Sequence, residues 1–463
     1  MTDRAEAVPV PPVPFDRRQY RRILTSSFLG TAVEYYDFVL YGAAAALVFG
    51  PLFFAGQPPA TALIISFATF AVGYLARPLG SVIFGHLGDR VGRKSTLVLT
   101  MTIMGASSTL MGLLPTSEQV GVLAPVLLLL LRIGQGLSVG GEWGGAALMG
   151  LESAPAHKRG FGASAVTMGS PAGSMTAALV FAAFAALPED QFLSWGWRVP
   201  FLLSAVLVGI ALFVRLRIAE SPMFVAAQVR ADVVSAKRRA PIAVVFARYR
   251  AAVLVTALVS VAAFVHSSFY STFALSAARA SGTSASLVLV TSAAAGFTMI
   301  FGVAYFARLS DRIGRRPVLL IGCGISLVMA VPYIMLLTSG SWVGVLAAFV
   351  LTGLTQAALY APLAAFISEQ FETSVRYTGA GLTYQIGAVL ASFTPIISSA
   401  LWGLGQTTFG TGTWTEYGFV ALFIIGGTLV SLVALRFTSE TRTRELEPGA
   451  PAPVSAGPVP ETT

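Results

Sequence analysis

Six ionisable side chains stand inside otherwise apolar stretches of this sequence: Glu34, Asp37, Arg77, Arg132, Glu142 and His266. A charge in hydrocarbon costs roughly 3 kcal/mol or more unless it is paired, so each is a candidate for function. Glu34 and Asp37 are three residues apart and share a helix face. At 1.5 Å per residue they lie roughly 16 and 21 Å above the inner end of their apolar block. Arg132 lies about 15 Å below the outer end of its own block, level with both acids in a 30 Å core. Glu142 is about 15 Å deeper, and Arg77 reaches a similar inner depth. Two sets are expected: an upper one of Glu34, Asp37 and Arg132, and a lower pair of Arg77 with Glu142. Two adjacent carboxylates sharing one arginine cannot both be comfortably ionised, so one of them can carry a proton. The lower pair, nearer the edge, is expected to be a standing salt bridge.

Neutral polar groups make a second set. His266 with Tyr270 and Gln356 with Tyr360 are four residues apart, and Tyr384 and Gln385 are adjacent. They are candidate solute ligands, with interhelical hydrogen bonding as their other use. No metal or nucleophile chemistry is expected. The three histidines (His86, His157, His266) are far apart, the one cysteine, Cys323, stands in an apolar run, and neither a phosphate-binding loop nor a Gly-x-Ser-x-Gly turn occurs.

The elements that carry these residues are long apolar blocks. Of 463 residues 55% are hydrophobic and 11% charged, less than half the charge of a soluble domain. A helix needs about 20 apolar residues to cross a bilayer, and twelve such blocks run from 23–49 to 416–436. The expected division is a head, 1–22; a six-helix bundle, 23–217; a central loop, 218–249; a second six-helix bundle, 250–436; and a tail, 437–463. Head and tail are Pro-rich and expected to be mostly disordered. The head has no apolar core of a signal peptide. The net charge of +9 comes from basic connections that all lie on one side, so both termini are expected in the cytoplasm. The partners expected are the lipid bilayer and a small solute, with no nucleic acid, and the chain is expected to act as a monomer.

Internal repeats support two equivalent halves. GHLGDRVGRK (85–94) returns as ARLSDRIGRR (307–316); Glu152 and Arg159 return as Glu369 and Arg376; Glu220 returns as Glu440. The offsets are 222, 217 and 220. Such parallel repeats place a solute site near the midplane, between halves that rock.

GHLGDRVGRK and its second copy resemble the signature of the major facilitator superfamily. SFLGTAVEYYDFVLYG (27–42), RPLG (77–80), RIGQGLSVGGEWGGA (132–146), ESAPAHKRG (152–160), WGWRVPFLLS (195–204), ESPMF (220–224) and VRYTGAGLTYQIG (375–387) resemble its metabolite:proton symporters, the carriers of shikimate, 2-oxoglutarate, citrate, proline and betaine. Glu372 departs from that pattern, where the loop usually has proline. The resemblance implies an all-α membrane protein of twelve helices in two halves. It also implies proton coupling by Asp37 with Arg132 of Arg132-x-x-Gln135-Gly136, with Gln135 beside the solute. The second half lacks such a set: the 217 offset puts Phe349 in place of Arg132. Asp89, Arg90, Arg93, Glu152, Arg159, Glu220, Asp311, Arg312, Glu369, Arg376 and Glu440 match the cytoplasmic charge network that ties the halves together in related sugar carriers.

The function expected is proton symport of a small organic solute across the inner membrane, with the proton as coupling ion and no other cofactor. A carboxylate is favoured because a guanidinium holds one bidentately. A zwitterionic osmolyte such as proline or betaine comes next, then an efflux antiporter, for which MGSPAG (168–173) has the wrong order of Gly and Pro. A non-transporting sensor comes last.

Overall fold

The computed structural model describes residues 17–152, 154–217, 241–283, 285–373, 375–442 and 444. Among them the chain forms twelve long helices. The first half holds α1 (Arg17–Leu47), α2 (Pro59–Val91), α3 (Arg93–Gly112), α4 (Leu123–Glu152), α5 (Arg159–Ala185) and α6 (Arg198–Leu216). The second holds α7, in pieces from Arg250–Val259 to Ala274–Ala280, then α8 (Ala285–Ile313), α9 (Arg315–Leu337) and α10 (Trp342–Tyr360 with Leu363–Ser368). It closes with α11 (Arg376–Ala391 with Thr394–Phe409) and α12 (Gly418–Arg436). Nine of the described helices are long and apolar enough to cross a membrane, or ten if α7 is counted with its bent start; α1 and α2 complete the twelve. Glu220 and the rest of 218–240 lie outside the described residues.

Small residues set the close packing of the bundles, because apolar helices in lipid gain from contact rather than from leaving water. Gly140 of α4 rests on the Arg77 carbonyl of α2, where any Cβ would collide. This contact places Arg77 beside the middle of α4. At the two repeated signatures, Gly92 (φ 121°) and Gly314 (φ 109°) end α2 and α8 in left-handed backbone and turn the chain at once into α3 and α9. The residues before and after each glycine therefore gather at one corner.

Two boundaries differ from expectation. The last residues of the stretch assigned to the central loop form a short helix, Pro241–Arg248, which meets α7 at an elbow of 84°. Tyr249, at the elbow, donates a 2.5 Å hydrogen bond to Glu372, and Arg248 lies 4.0 Å from the same carboxylate. The departure at Glu372 thus fastens the elbow to the α10–α11 loop. The start of the tail is ordered too, since Glu440, Arg442 and Arg444 dock on the second half.

The halves meet along α2 with α11 and α5 with α8, whereas α1 and α7 share no comparable seam among the described residues. The halves are closed at the basic face, where the signature turns lie.

Candidate functional site

The site in the first half is a hydrogen-bonded chain. Asp37, 1% exposed on α1, accepts 2.5 Å bonds from Ser108 of α3 and Ser204 of α6, one on each oxygen. Ser108 in turn accepts from the Gln135 amide at 2.7 Å, and Gln135 accepts a short bond from Arg132. Arg132 therefore reaches Asp37 through Gln135 and Ser108, not by the direct pairing expected from depth alone. Level along the bundle axis is not the same as facing, and the two serines already occupy both carboxylate oxygens. The guanidinium packs over Tyr41, 4.1 Å from the ring centre, and over Phe70 at 4.9 Å. Its Nε has no hydrogen-bond partner among the described residues.

The expected Arg77–Glu142 pair is not formed. Arg77 lies 4.0 Å from Glu34 and stacks on Tyr74 at 4.3 Å. Glu142 pairs with Arg215 of α6 at 2.8 Å. Arg215 stands at the end of its apolar block and reads as a surface base in the sequence. Only the fold shows that it is buried, at 2% exposure. Glu34, Arg77, Arg132 and Gln135 line one narrow cavity, floored by Gly73 and Gly136. In this closed form it is about the size of one water, and its two guanidinia and amide are donors of the kind that bind a carboxylate.

Across from them, the second half offers neutral groups. Gln356 and Gln385, at 0% and 1% exposure, have neither amide atom hydrogen-bonded among the described residues. Buried amides are nearly always paired, so both are candidates to meet a solute. Tyr384 and Tyr360 share a short hydroxyl contact, and Tyr360 reaches Tyr35 of α1 at 3.4 Å. This line of hydroxyls crosses between the halves at the level of the cavity, and Tyr35 has no mark in the sequence beyond its neighbours. His266 and Tyr270 do not act as one face. A π-type turn over Phe269–Phe273 shifts the register; His266 faces the Tyr333 ring of α9, and the Tyr270 hydroxyl reaches the Met299 sulfur of α8 at 3.7 Å.

The basic face carries a reciprocal clasp. Asp89, at the end of α2, accepts from the backbone N–H and hydroxyl of Thr378 in the first turn of α11, at 3.1 and 2.7 Å. Asp311, at the end of α8, accepts from the backbone N–H groups of Gly160 and Phe161 in the first turn of α5, at 2.7 and 3.0 Å. Each half supplies an anion to the unsatisfied donors and positive dipole end of a helix in the other. Tyr377 adds a 2.6 Å bond to the Gly141 carbonyl.

Arg315 binds Asp311 at 2.9 Å and Glu369 at 3.1 Å with 0% exposure of its side chain. It is the 222-offset counterpart of Arg93, which the sequence reading singled out while passing over Arg315 itself. Thr441 donates to Glu369 at 2.5 Å, and Glu440 accepts from the backbone N–H groups of Arg315 and Arg316 at 2.9 and 3.0 Å. Arg159 donates to the Arg444 carbonyl at 3.2 Å, and Arg376 donates to that of Phe371 at 2.9 Å. Arg90 and Arg312 are exposed, and neither forms an ion pair among the described residues. The side chains of Arg93 and Glu152 lie outside the described residues.

Two bundles of long apolar helices with ionisable groups buried among them have the architecture of a membrane transporter. The chain belongs to the Major Facilitator Superfamily, whose model matches residues 27–395 and 252–460. It is 38% identical over 438 residues to the inner membrane metabolite transport protein YhjE of Escherichia coli K12, covering 92% of this chain and 95% of that one. The shikimate transporter of the same organism is 39% identical over 416 residues, 89% of this chain and 92% of its own. The proline/betaine transporter of the same strain is 30% identical over 450 residues, 94% and 87%. Among solved structures the fold matches the proton:xylose symporter XylE with a TM-score of 0.73 at 16% identity, over 92% of this chain and 97% of that one. The protein is therefore a multi-pass membrane transporter of metabolites or osmolytes, and not an enzyme.

Proposed function

We propose that this transporter is a proton symporter that takes up a small carboxylate across the cytoplasmic membrane as a monomer, with the basic face and both termini inside. The observation that carries this reading is the chain Arg132–Gln135–Ser108–Asp37. It connects a guanidinium at the cavity to a buried carboxylate by three hydrogen bonds, each donated toward Asp37. A solute carboxylate that engages Arg132 draws its donors away from Gln135, and the change passes through Gln135 and Ser108 to Asp37. With that support weakened, Asp37 takes a proton from the outer side, and the loaded carrier is free of the unpaired charge that would oppose its turning inward. Gln356 and Gln385 close on the solute from the second half, and Tyr35, Tyr360 and Tyr384 join the two halves by their hydroxyls. Breaking the clasp then opens the basic face.

The relatives support both solute classes, carboxylate and zwitterion. The two arginines at the cavity favour the carboxylate. The test is uptake into proteoliposomes of shikimate, 2-oxoglutarate, citrate, proline and glycine betaine, with and without an imposed pH gradient. The reading expects one of the carboxylates to be concentrated only when the gradient is present. Gradient-independent equilibration of every solute would refute proton coupling.

A further inference from the structure

The elbow before α7 carries an exposed surface that the mechanism above leaves unused. Its short helix, Pro241–Arg248, meets the first piece of α7 at 84°. Since α7 crosses the bilayer, a helix turned through that angle runs along the membrane surface. One stripe of exposed residues continues round the corner: Ala243, Phe246 and Ala247 on the short helix, then Ala251 and Leu254 on α7. Phe246 and Leu254 are 58% and 59% exposed. Val245 and Tyr249, on the other side, are buried where the short helix packs on α2 and α11. A short helix with one apolar face outward at this level is suited to the boundary between headgroups and acyl chains.

Arg248 and Arg250 flank the corner on either side of Tyr249, and both are exposed. Two residues apart, their backbones are separated by roughly 7 Å at most, so both guanidinia can reach one phosphate, the group their planar forks match. Among the described residues Glu372 is the one carboxylate within 4.0 Å of either arginine, and it meets Arg248 only at that limit. The same oxygen already accepts the Tyr249 hydroxyl at 2.5 Å. Arg248, its side chain 62% exposed, is therefore loosely held. We infer that the elbow binds the headgroup of one anionic phospholipid. The phosphate sits between Arg248 and Arg250, the acyl chains lie over Phe246 and Leu254, and Glu372 competes for Arg248 from within the protein.

The test counts lipid adducts on the full-length protein by native mass spectrometry, after equilibration in detergent with equal amounts of phosphatidylglycerol and phosphatidylcholine. The wild type should retain one phosphatidylglycerol in preference to phosphatidylcholine. Arg248→Gln/Arg250→Gln should weaken that retention roughly thirtyfold, at about fivefold for each basic residue at an anionic surface. This variant keeps Lys237, Arg238 and Arg239, which precede the short helix in the sequence, so the loss belongs to the corner. Glu372→Gln frees Arg248 from its competitor and should strengthen retention by roughly two- to fivefold, a gain that misfolding cannot produce. Phe246→Ser should weaken retention while leaving both arginines in place. Equal retention of the two lipids by the wild type overturns the site, and so does a preference that neither the double variant nor Glu372→Gln alters. Displacement by water-soluble glycerophosphoglycerol at equal concentration, with Phe246→Ser as good as wild type, would mark a free-phosphate site and overturn the membrane as its occupant.

Discussion

Replacing Asp311 by Asn tests the clasp where it is best defined. The carboxylate accepts from two backbone N–H groups at the start of α5 and from Arg315. A hydrogen bond to a charged acceptor contributes about 1.5–3 kcal/mol, and the interaction of an anion with a helix N-terminus adds about 0.3–1 kcal/mol. The amide oxygen of Asn still accepts one bond, now neutral, while its NH2 faces the second donor. Losing one charged bond and the dipole term shifts the balance between closed and open basic faces by about 3 kcal/mol. At 1.36 kcal/mol per tenfold, that is a population change of roughly 150-fold toward the inward-open form. Spin labels on Lys158→Cys and Ile313→Cys, exposed positions on either side of the clasp, report the separation by pulsed dipolar spectroscopy. The native Cys323 is buried and should not interfere. The Asn variant should move the main distance population outward, and uptake should collapse while solute binding from the inner side persists. An unchanged distance distribution with normal uptake would refute the clasp.

Asp89→Asn should act in the same direction but more weakly, since one of its two bonds at Thr378 comes from a hydroxyl that can reorient. Asp37→Asn should bind and exchange solute but fail to concentrate it under a pH gradient; continued accumulation would move the proton role to Glu34. Gln356→Leu removes a buried amide that has no hydrogen-bond partner among the described residues, a group whose burial costs about 1–3 kcal/mol. It should raise the melting temperature of the empty carrier by a few degrees and abolish the stabilisation that shikimate or glycine betaine confers. If the solute is a monoanion carried with one proton, a membrane potential alone should drive little uptake. For a zwitterion with one proton, each 100 mV contributes about 2.3 kcal/mol, measurable as potassium-diffusion-driven accumulation without a pH gradient.

The sequence carried the large features because they rest on composition and spacing. Apolar blocks of bilayer length give helices, and a turn signature repeated at an offset of 222 gives two halves with Asp89 and Asp311 in matching places. Depth along a helix was legible as well, through the constant rise per residue. Rotation and tilt were not. Asp37 and Arg132 come level, yet Ser108 and Ser204 hold the acid, and small hydroxyls in apolar helices give no signal of which neighbour they face. Glu142 likewise finds Arg215, because Gly30 of α1 has no side chain to fill the space that the pair occupies. Arg315 looked like one more basic residue beside Arg312 and Arg316. Its burial follows from Gly314 turning the chain sharply under Glu440, a contact that spans 125 positions.

That last contact makes the segment after α12 a working part of the lock rather than a trailing end. Glu440 ties down the turn beneath Gly314, Thr441 secures Glu369, and Arg444 meets Arg159 of the opposite half. Tension applied beyond residue 444, by a fused reporter or a tethered surface, would be delivered straight to the contacts that hold the basic face closed. A single molecule held by this end should show its transport cycle responding to piconewton loads, with pulling favouring release. Any engineered version trimmed back to the end of α12 would be a carrier with its latch pin removed.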